Sequence, residues 1–303
     1  MTTLGPFMGT LTDAAGNRIV HGVDGVRFVP ADVVVPTPPP TPNPIPTGAR
    51  RVLWHYGWGG PSLDTLPADV RQGITAVTLA MCQSAAPGTG KLTEPPAVTR
   101  AQVAALVDAG LEVTIGIGGA QDGGVTVNDA ARAGELVASV RAIRDRLGIT
   151  GITWDLEGPP GAAWTPDAVL AASQQLAKDG LAVAIWSALY GGRLAAWGAV
   201  ARGLGSALAW WERGFYDFVE AGDSRLSGVV TGDLDRMRPF VARDGQLVAS
   251  FAPVGSTSRT SPALAAAALA AARRTRQAVG WSVWADRWDA AASWSTTRAL
   301  LAM

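Results

Sequence analysis

From about Ala49 onward, short apolar runs alternate with alanine-rich stretches in which apolar residues recur every three to four positions. The short runs are RVLWHYGW, ITAVTLAMC, LEVTIGIGG, GITGITWDLE, LAVAIWSAL, YDFVEAG, QLVASFAPV and AVGWSVWAD. Their length and their β-branched and aromatic content predict strands, several of them apolar on both faces. The stretches TRAQVAALVDAG, AARAGELVASVRAIRDRLG and SPALAAAALAAARRTRQA between them have helical spacing. Eight strand-then-helix units in about 255 residues predict an α/β chain, either a closed (β/α)8 TIM barrel or a doubly wound open sheet, and the size suits the barrel.

A different pattern precedes this region. Pro36 to Pro46, PTPPPTPNPIP, favours extended polyproline II and reads as a semi-rigid linker. Before it, GTLTDAAGNRIVHGVDGVRFVPADVVV predicts two to four short strands broken at Asp13, Gly16, Asn17, Asp24 and Gly25. About 35 residues are too few for an independent core. The expected division is therefore a β-rich docking segment (1–35), a proline-rich linker (36–47) and the α/β region (48–303), the first completing itself against a partner or a second copy.

Composition narrows the chemistry. With 303 residues, 48% hydrophobic and 17% charged, the chain can bury a large core. Lysine plus arginine equals aspartate plus glutamate at 25 each, so no basic excess argues for a nucleic-acid partner. Cys82 is the only cysteine, which excludes an intrachain disulfide and a thiolate metal site. His21 and His55 are the only histidines, too few for a multi-histidine zinc site, and each reads as an ordinary polar residue. No metal and no cofactor is predicted. No basic-plus-apolar leader and no apolar run of membrane-spanning length is visible, so a soluble chain without a membrane partner is expected.

One strand stands out. In GITGITWDLEG, side-chain alternation puts Gly151, Thr153, Asp155 and Glu157 on one face and Ile152, Trp154 and Leu156 on the other. In a barrel the apolar face meets the helices. The acids then point inward near the C-terminal end of the fourth strand, where barrel enzymes keep their chemistry. Taken alone, the pair also fits a buried ion pair with an arginine, or a relic site.

At these residues the sequence resembles glycoside hydrolase family 18, the chitinases and their relatives. Thr150 to Glu157 is similar to the strand-four signature DxxDxDxE, and VTIGIGG to the strand-three SxGG with Gly116 in the serine position. ITAVTLAMC resembles the second strand, and GWSVWADRWD the eighth, where a tryptophan floors the sugar subsite. The resemblance covers residues 50 to 295, roughly, and is closest to the short plant and fungal type. It implies a substrate-assisted retaining mechanism, in which the substrate's own 2-acetamido oxygen is the nucleophile. Glu157 would be the general acid, its pKa raised by a partly apolar mouth, and Asp155 would orient the acetamido group and balance the cationic intermediate. Trp284 would be the stacking floor, with outer-layer packing as its alternative role. Trp54, Tyr56, Thr153 and Gly118 complete the expected substrate-binding set.

The chain departs from the pattern at Thr150 and Thr153, which stand where the signature has its first two acids. The second normally shares a proton with the next aspartate, so Asp155 is expected to lose a like-charge partner and stay ionised. The family tyrosine near the end of strand six is expected to be missing. YDFVEAGDSR puts Asp223, Ser224 and Arg225 there, with Tyr216 and Asp217 at the wrong end. Two readings follow: a hydrolase of an N-acetylated polymer (chitin-like, or the glycan strand of peptidoglycan), or a carbohydrate-binding or structural barrel that has lost the rate. The docking piece, proline spacer and sugar-active barrel together suggest a minor tail protein of a phage infecting actinobacteria. In that context residues 1–35 would meet other tail proteins in the virion tail; a bacterial enzyme, cytoplasmic or unconventionally exported, is the competing context.

Overall fold

The structure is a computed structural model that describes residues 10–12, 18–22, 25–29, 48–216, 225–253, 255–256, 260–276 and 278–303. The predicted linker, 36–47, lies outside the described residues. The chain divides into two units, Met1–Thr41 and Pro42–Met303. In the first, β1 (Thr10–Thr12), β2 (Arg18–Gly22) and β3 (Gly25–Val29) form an antiparallel sheet in the order β1-β2-β3, with Gly22 opposite Gly25.

The second unit is a closed parallel barrel. Its strands are β4 (Arg51–Tyr56), β5 (Ala76–Cys82), β6 (Glu112–Gly119), β7 (Gly151–Leu156), β8 (Ala182–Ser187), β9 (Leu208–Gly214), β10 (Leu247–Phe251) and β11 (Gly280–Val283). Each pairs with the next, and Trp281↔Arg51 closes the ring between β11 and β4. That pairing excludes the open sheet. Helices α1 (Ala68–Gly73), α2 (Arg100–Asp108), α3 (Ala130–Leu147), α4 (Pro166–Lys178), α5 (Arg193–Leu204), α6 (Leu226–Met237), α7 (Pro262–Thr275), α8 (Asp286–Ala291) and α9 (Ser295–Leu301) follow the strands. Their starts are written locally. The Thr99, Asp129, Thr165 and Ser261 side chains each accept a first-turn backbone N–H, and Pro166 and Pro262 occupy positions where no N–H is needed. None of the described helices is long and apolar enough to cross a membrane.

Two apolar layers result. Ile152, Trp154 and Leu156 point outward as expected and pack in the layer between strands and helices; Trp154 donates its indole N–H to Ser173 of α4 at 2.9 Å. Inside the barrel, Val52, Trp54, Ala184, Trp186, Trp210 and Val248 form a separate core.

The sixth strand is a correction. The run YDFVEAG extends from Tyr216 into residues 217–224, outside the described residues, and the strand is instead LAWWERG, β9. The stretch RLAAWGAVARGLGSALAWW supplies both α5 and the start of β9. In the structure α5 ends at Gly205, whose φ of 55° is open to glycine. Trp211 then packs outward and Trp210 inward, the alternation of a strand.

Candidate active site

A cavity of about 400 Å³ opens at the C-terminal ends of the strands. Asp155 and Glu157 line it from β7 and the residue after it, with Trp54 and Tyr56 from β4 and Trp284 from just beyond β11. Trp58, Met81, Trp186, Tyr190, Arg213 and Tyr216 contribute further wall. The Trp284 ring sits edge-on to Trp54 at 5.2 Å and to Tyr56 at 6.0 Å. It therefore belongs to the mouth and not to the outer layer.

Two expected contact residues do not reach the cavity. Thr153 is fully buried, and its hydroxyl lies 2.9 Å from that of Thr114, which is 2.9 Å from that of Thr78. Gly118 has φ 114°, and a Cβ there would come within 2.4 Å of the Asp155 carbonyl oxygen. Its bareness lets β6 lie against β7 beneath the site. Gly116, at the serine position of the resemblance, is explained the same way: a Cβ would meet the Trp54 ring at 2.8 Å and the Met81 sulfur at 3.0 Å.

Glu157 is partly buried, and its main chain is held on both sides. The Gly158 N–H donates to Asp122 Oδ1 at 2.5 Å, and the Arg193 guanidinium donates to the Glu157 carbonyl. Asp122 itself sits at φ 59°, on the turn after β6. Burial raises its pKa, against the Gly158 amide, the Arg193 charge and the Glu157 amide.

Asp155 does not behave as expected. Its carboxyl is buried, and Oδ1 has no hydrogen-bond partner among the described residues. Its pKa stands well above the ordinary carboxylate range, first through burial, then through the charges of Glu157, Glu212 and Asp122. Thr153 removes one acid from the strand, but others arrive from β9 and from the turn after β6. Arg213, the arginine in the wall, is paired with Asp233 of α6 at 2.9 Å.

The tyrosine expected to be missing is present. Tyr216 lies two residues beyond the end of β9 and lines the cavity. Its hydroxyl accepts the Trp186 indole N–H at 2.9 Å and lies 2.6 Å from Ser250 Oγ. Burial pushes its pKa well up. With LAWWERG as the strand, Tyr216 falls just beyond its C-terminal end and not at the start of YDFVEAG. Glu212 was missed with that strand, although a lone acid in an apolar LAWWERG run was the available signal.

Of the histidines, His55 is buried with Nδ1 2.6 Å from Asp286 Oδ2, while Asp286 Oδ1 accepts the Tyr56 N–H at 2.9 Å. This pair ties the end of β4 to α8. His21 lies on β2. Cys82 is buried, and burial pushes its thiol pKa up. Among the described residues no group of three or more His, Cys, Asp or Glu is arranged to hold a metal ion.

No protein-family model matches the chain, and no curated protein matches it. Solved structures do. A putative chitinase A from Streptomyces coelicolor is 17% identical with a TM-score of 0.69, over 84% of this chain and 97% of that one. The catalytic domain of a family GH18 chitinase from the fern Peteris ryukyuensis is 16% identical with a TM-score of 0.69, over 83% and 98%. The Ostrinia furnacalis Group IV chitinase in complex with allosamidin is 10% identical with a TM-score of 0.62, over 83% and 97%. The barrel of this chain thus has the fold of glycoside hydrolase family 18 chitinase catalytic domains.

Proposed function

We propose that this chain is a glycoside hydrolase acting on an N-acetylglucosamine-containing polymer by substrate-assisted retention. The observation that carries the reading is one cavity holding Asp155, Glu157, Tyr216 and Trp284 at the C-terminal mouth of a chitinase-like barrel. Asp155 lies on β7 and Glu157 directly after its end, so they meet the sugar from one side and cannot flank the scissile bond. A nucleophile from the substrate resolves that geometry. Glu157 protonates the leaving oxygen, and the 2-acetamido oxygen attacks the anomeric carbon from the other face. Asp155 and Tyr216 hold the acetamido group, and Trp284 stacks under the ring.

Two results test this. A β-linked N-acetylglucosamine oligomer is expected to release products with the β anomer first, observable by proton NMR. The fully deacetylated oligomer, lacking the nucleophile, should not be cleaved. Binding of the acetylated oligomer without turnover would favour the second reading, a glycan-binding barrel, which Thr150 and Thr153 in the acid positions support.

The context we infer is a virion tail, with the small sheet of the first unit as the docking piece for other tail proteins. The division of the chain into a three-stranded unit and a barrel supports it. Full-length protein is expected to assemble, alone or with tail proteins, where a 48–303 fragment stays monomeric in light scattering. Full-length chain that remains a monomer in every mixture would remove this context.

A further inference from the structure

The signature that β7 resembles has an acid where Thr153 stands, and the Thr153 hydroxyl is committed to Thr78 and Thr114. No carboxylate therefore lies beneath Asp155 on its own strand. One comes from β9. Glu212 is fully buried; its Oε1 accepts the Trp210 indole N–H at 2.6 Å, and its Oε2 accepts the Trp54 indole N–H at 2.9 Å and the Ser282 hydroxyl at 2.6 Å. Indole N–H groups only donate, so both oxygens are held as acceptors, the role that a carboxylate fills. Glutamine would leave one of these donors facing an amide NH₂, and an apolar residue would leave all three unpaired. The site is built for a charge. A buried charge is costly and tends to be kept where it is used.

We propose that Glu212 is a positioning residue for the Asp155–Glu157 pair, supplying from β9 the buried negative charge that the strand-four signature places at position 153. This rests on the hydrolase reading above. Its action runs through Asp155, whose proton it helps to retain, and through Trp54, which it holds edge-on to the Trp284 floor. When positive charge develops on the cyclised acetamido group, Glu212 stands behind Asp155 as fixed countercharge in a site of low dielectric.

Among the described residues, the ionisable surroundings of Asp155 are Glu157 just after β7, Glu212 on β9, Asp122 on the turn after β6 and Tyr216 beyond β9. Two arginines stand nearby. Arg213 lines the cavity, and Arg193 holds the Glu157 carbonyl. Below Glu212, Arg50 packs over the Trp210 ring at 5.0 Å and pairs with Glu112. Burial raises the Glu212 pKa, and its three donors offset part of that rise. Those same donors are what favour the ionised form.

The test is Glu212→Gln in the full chain. Removing the charge should let the acid pair lose its proton earlier. The alkaline limb of the pH–kcat profile should then move down by about one pH unit, a tenfold loss of turnover at fixed alkaline pH. KM should change little, and adding Thr153→Asp in the same chain should move the limb back. A kcat that falls equally at every pH, or a limb that stays in place, would reduce Glu212 to a packing residue. Carboxyl carbon NMR of the wild-type chain decides the matter without turnover, and also covers a variant that fails to fold. Glu212 must be ionised at pH values where Asp155 still holds its proton. The reverse order overturns the proposal, whereas an absence of hydrolysis alongside the expected order overturns only the hydrolase reading.

Discussion

Replacing Glu157 by glutamine is expected to lower turnover of an N-acetylglucosamine oligomer by about 10²–10⁴, the usual worth of general acid catalysis, with little change in binding. The amide keeps the shape and polarity of the side chain but has no proton to give to the leaving oxygen. The backbone that carries it is clamped independently of the side chain, by Asp122 through the Gly158 N–H and by Arg193 through the Glu157 carbonyl. The cavity walls formed by Trp284, Tyr56 and Trp58 are likewise unaffected. The variant should therefore bind the oligomer in calorimetry at near wild-type affinity and fail in the release assay. Equal turnover by the two proteins would show that Glu157 is not the acid and leave only the glycan-binding reading.

Much of this site was readable from two facts about strands. Alternation alone placed Asp155 on the interior face and Trp154 on the helix face, and both lie there. Alternation does not give depth. Thr153 shares the face of Asp155 but sits about 6.6 Å further down the strand at two residues' rise, below the cavity floor, where it bonds to other threonines. Seven strands were recognisable because β-branched and aromatic residues crowd into short runs. The sixth, LAWWERG, follows directly on the alanine-rich helix α5, and the break between them falls at Gly205.

The misplaced strand had a chemical consequence. Tyr216 and Glu212 both belong to the end of β9, and with β9 unrecognised neither could be brought to the site. The ionisation of Asp155 was unreadable for a related reason. Its state is set by burial and by charges that arrive from β9 and from the turn after β6, which only the closed barrel brings together. A strand motif records the acids on one strand, whereas a pKa sums over every element that faces the group.

That raised pKa makes Asp155→Asn the variant in which activity and stability should part most clearly. Balance of the cationic intermediate requires a carboxylate. A developing positive charge beside Asp155 lowers its pKa and favours the ionised carboxylate, whereas the asparagine amide stays neutral. Loss of a preorganised countercharge of this kind is worth about 10²–10³ in turnover. The fold should respond in the opposite sense. An acid whose folded pKa lies above its unfolded value, about 3.9 for aspartate, lends full stability below that value and loses it as pH rises through the folded pKa. As pH rises from the unfolded towards the folded pKa, wild-type Asp155 therefore costs the fold about 1.4 kcal/mol for each pH unit. The buried Oδ1 has no partner among the described residues, so asparagine breaks no hydrogen bond at that atom. Melting curves should show Asp155→Asn more stable than wild type near pH 8, by about 2–4 °C for each kcal/mol in a chain of this size. The two curves should converge as pH falls below 4, roughly, where aspartate is protonated in both states. A variant less stable than wild type at pH 8 would mean that Asp155 is ionised and satisfied in the folded chain, and the charge arrangement inferred around Glu212 would fall with it.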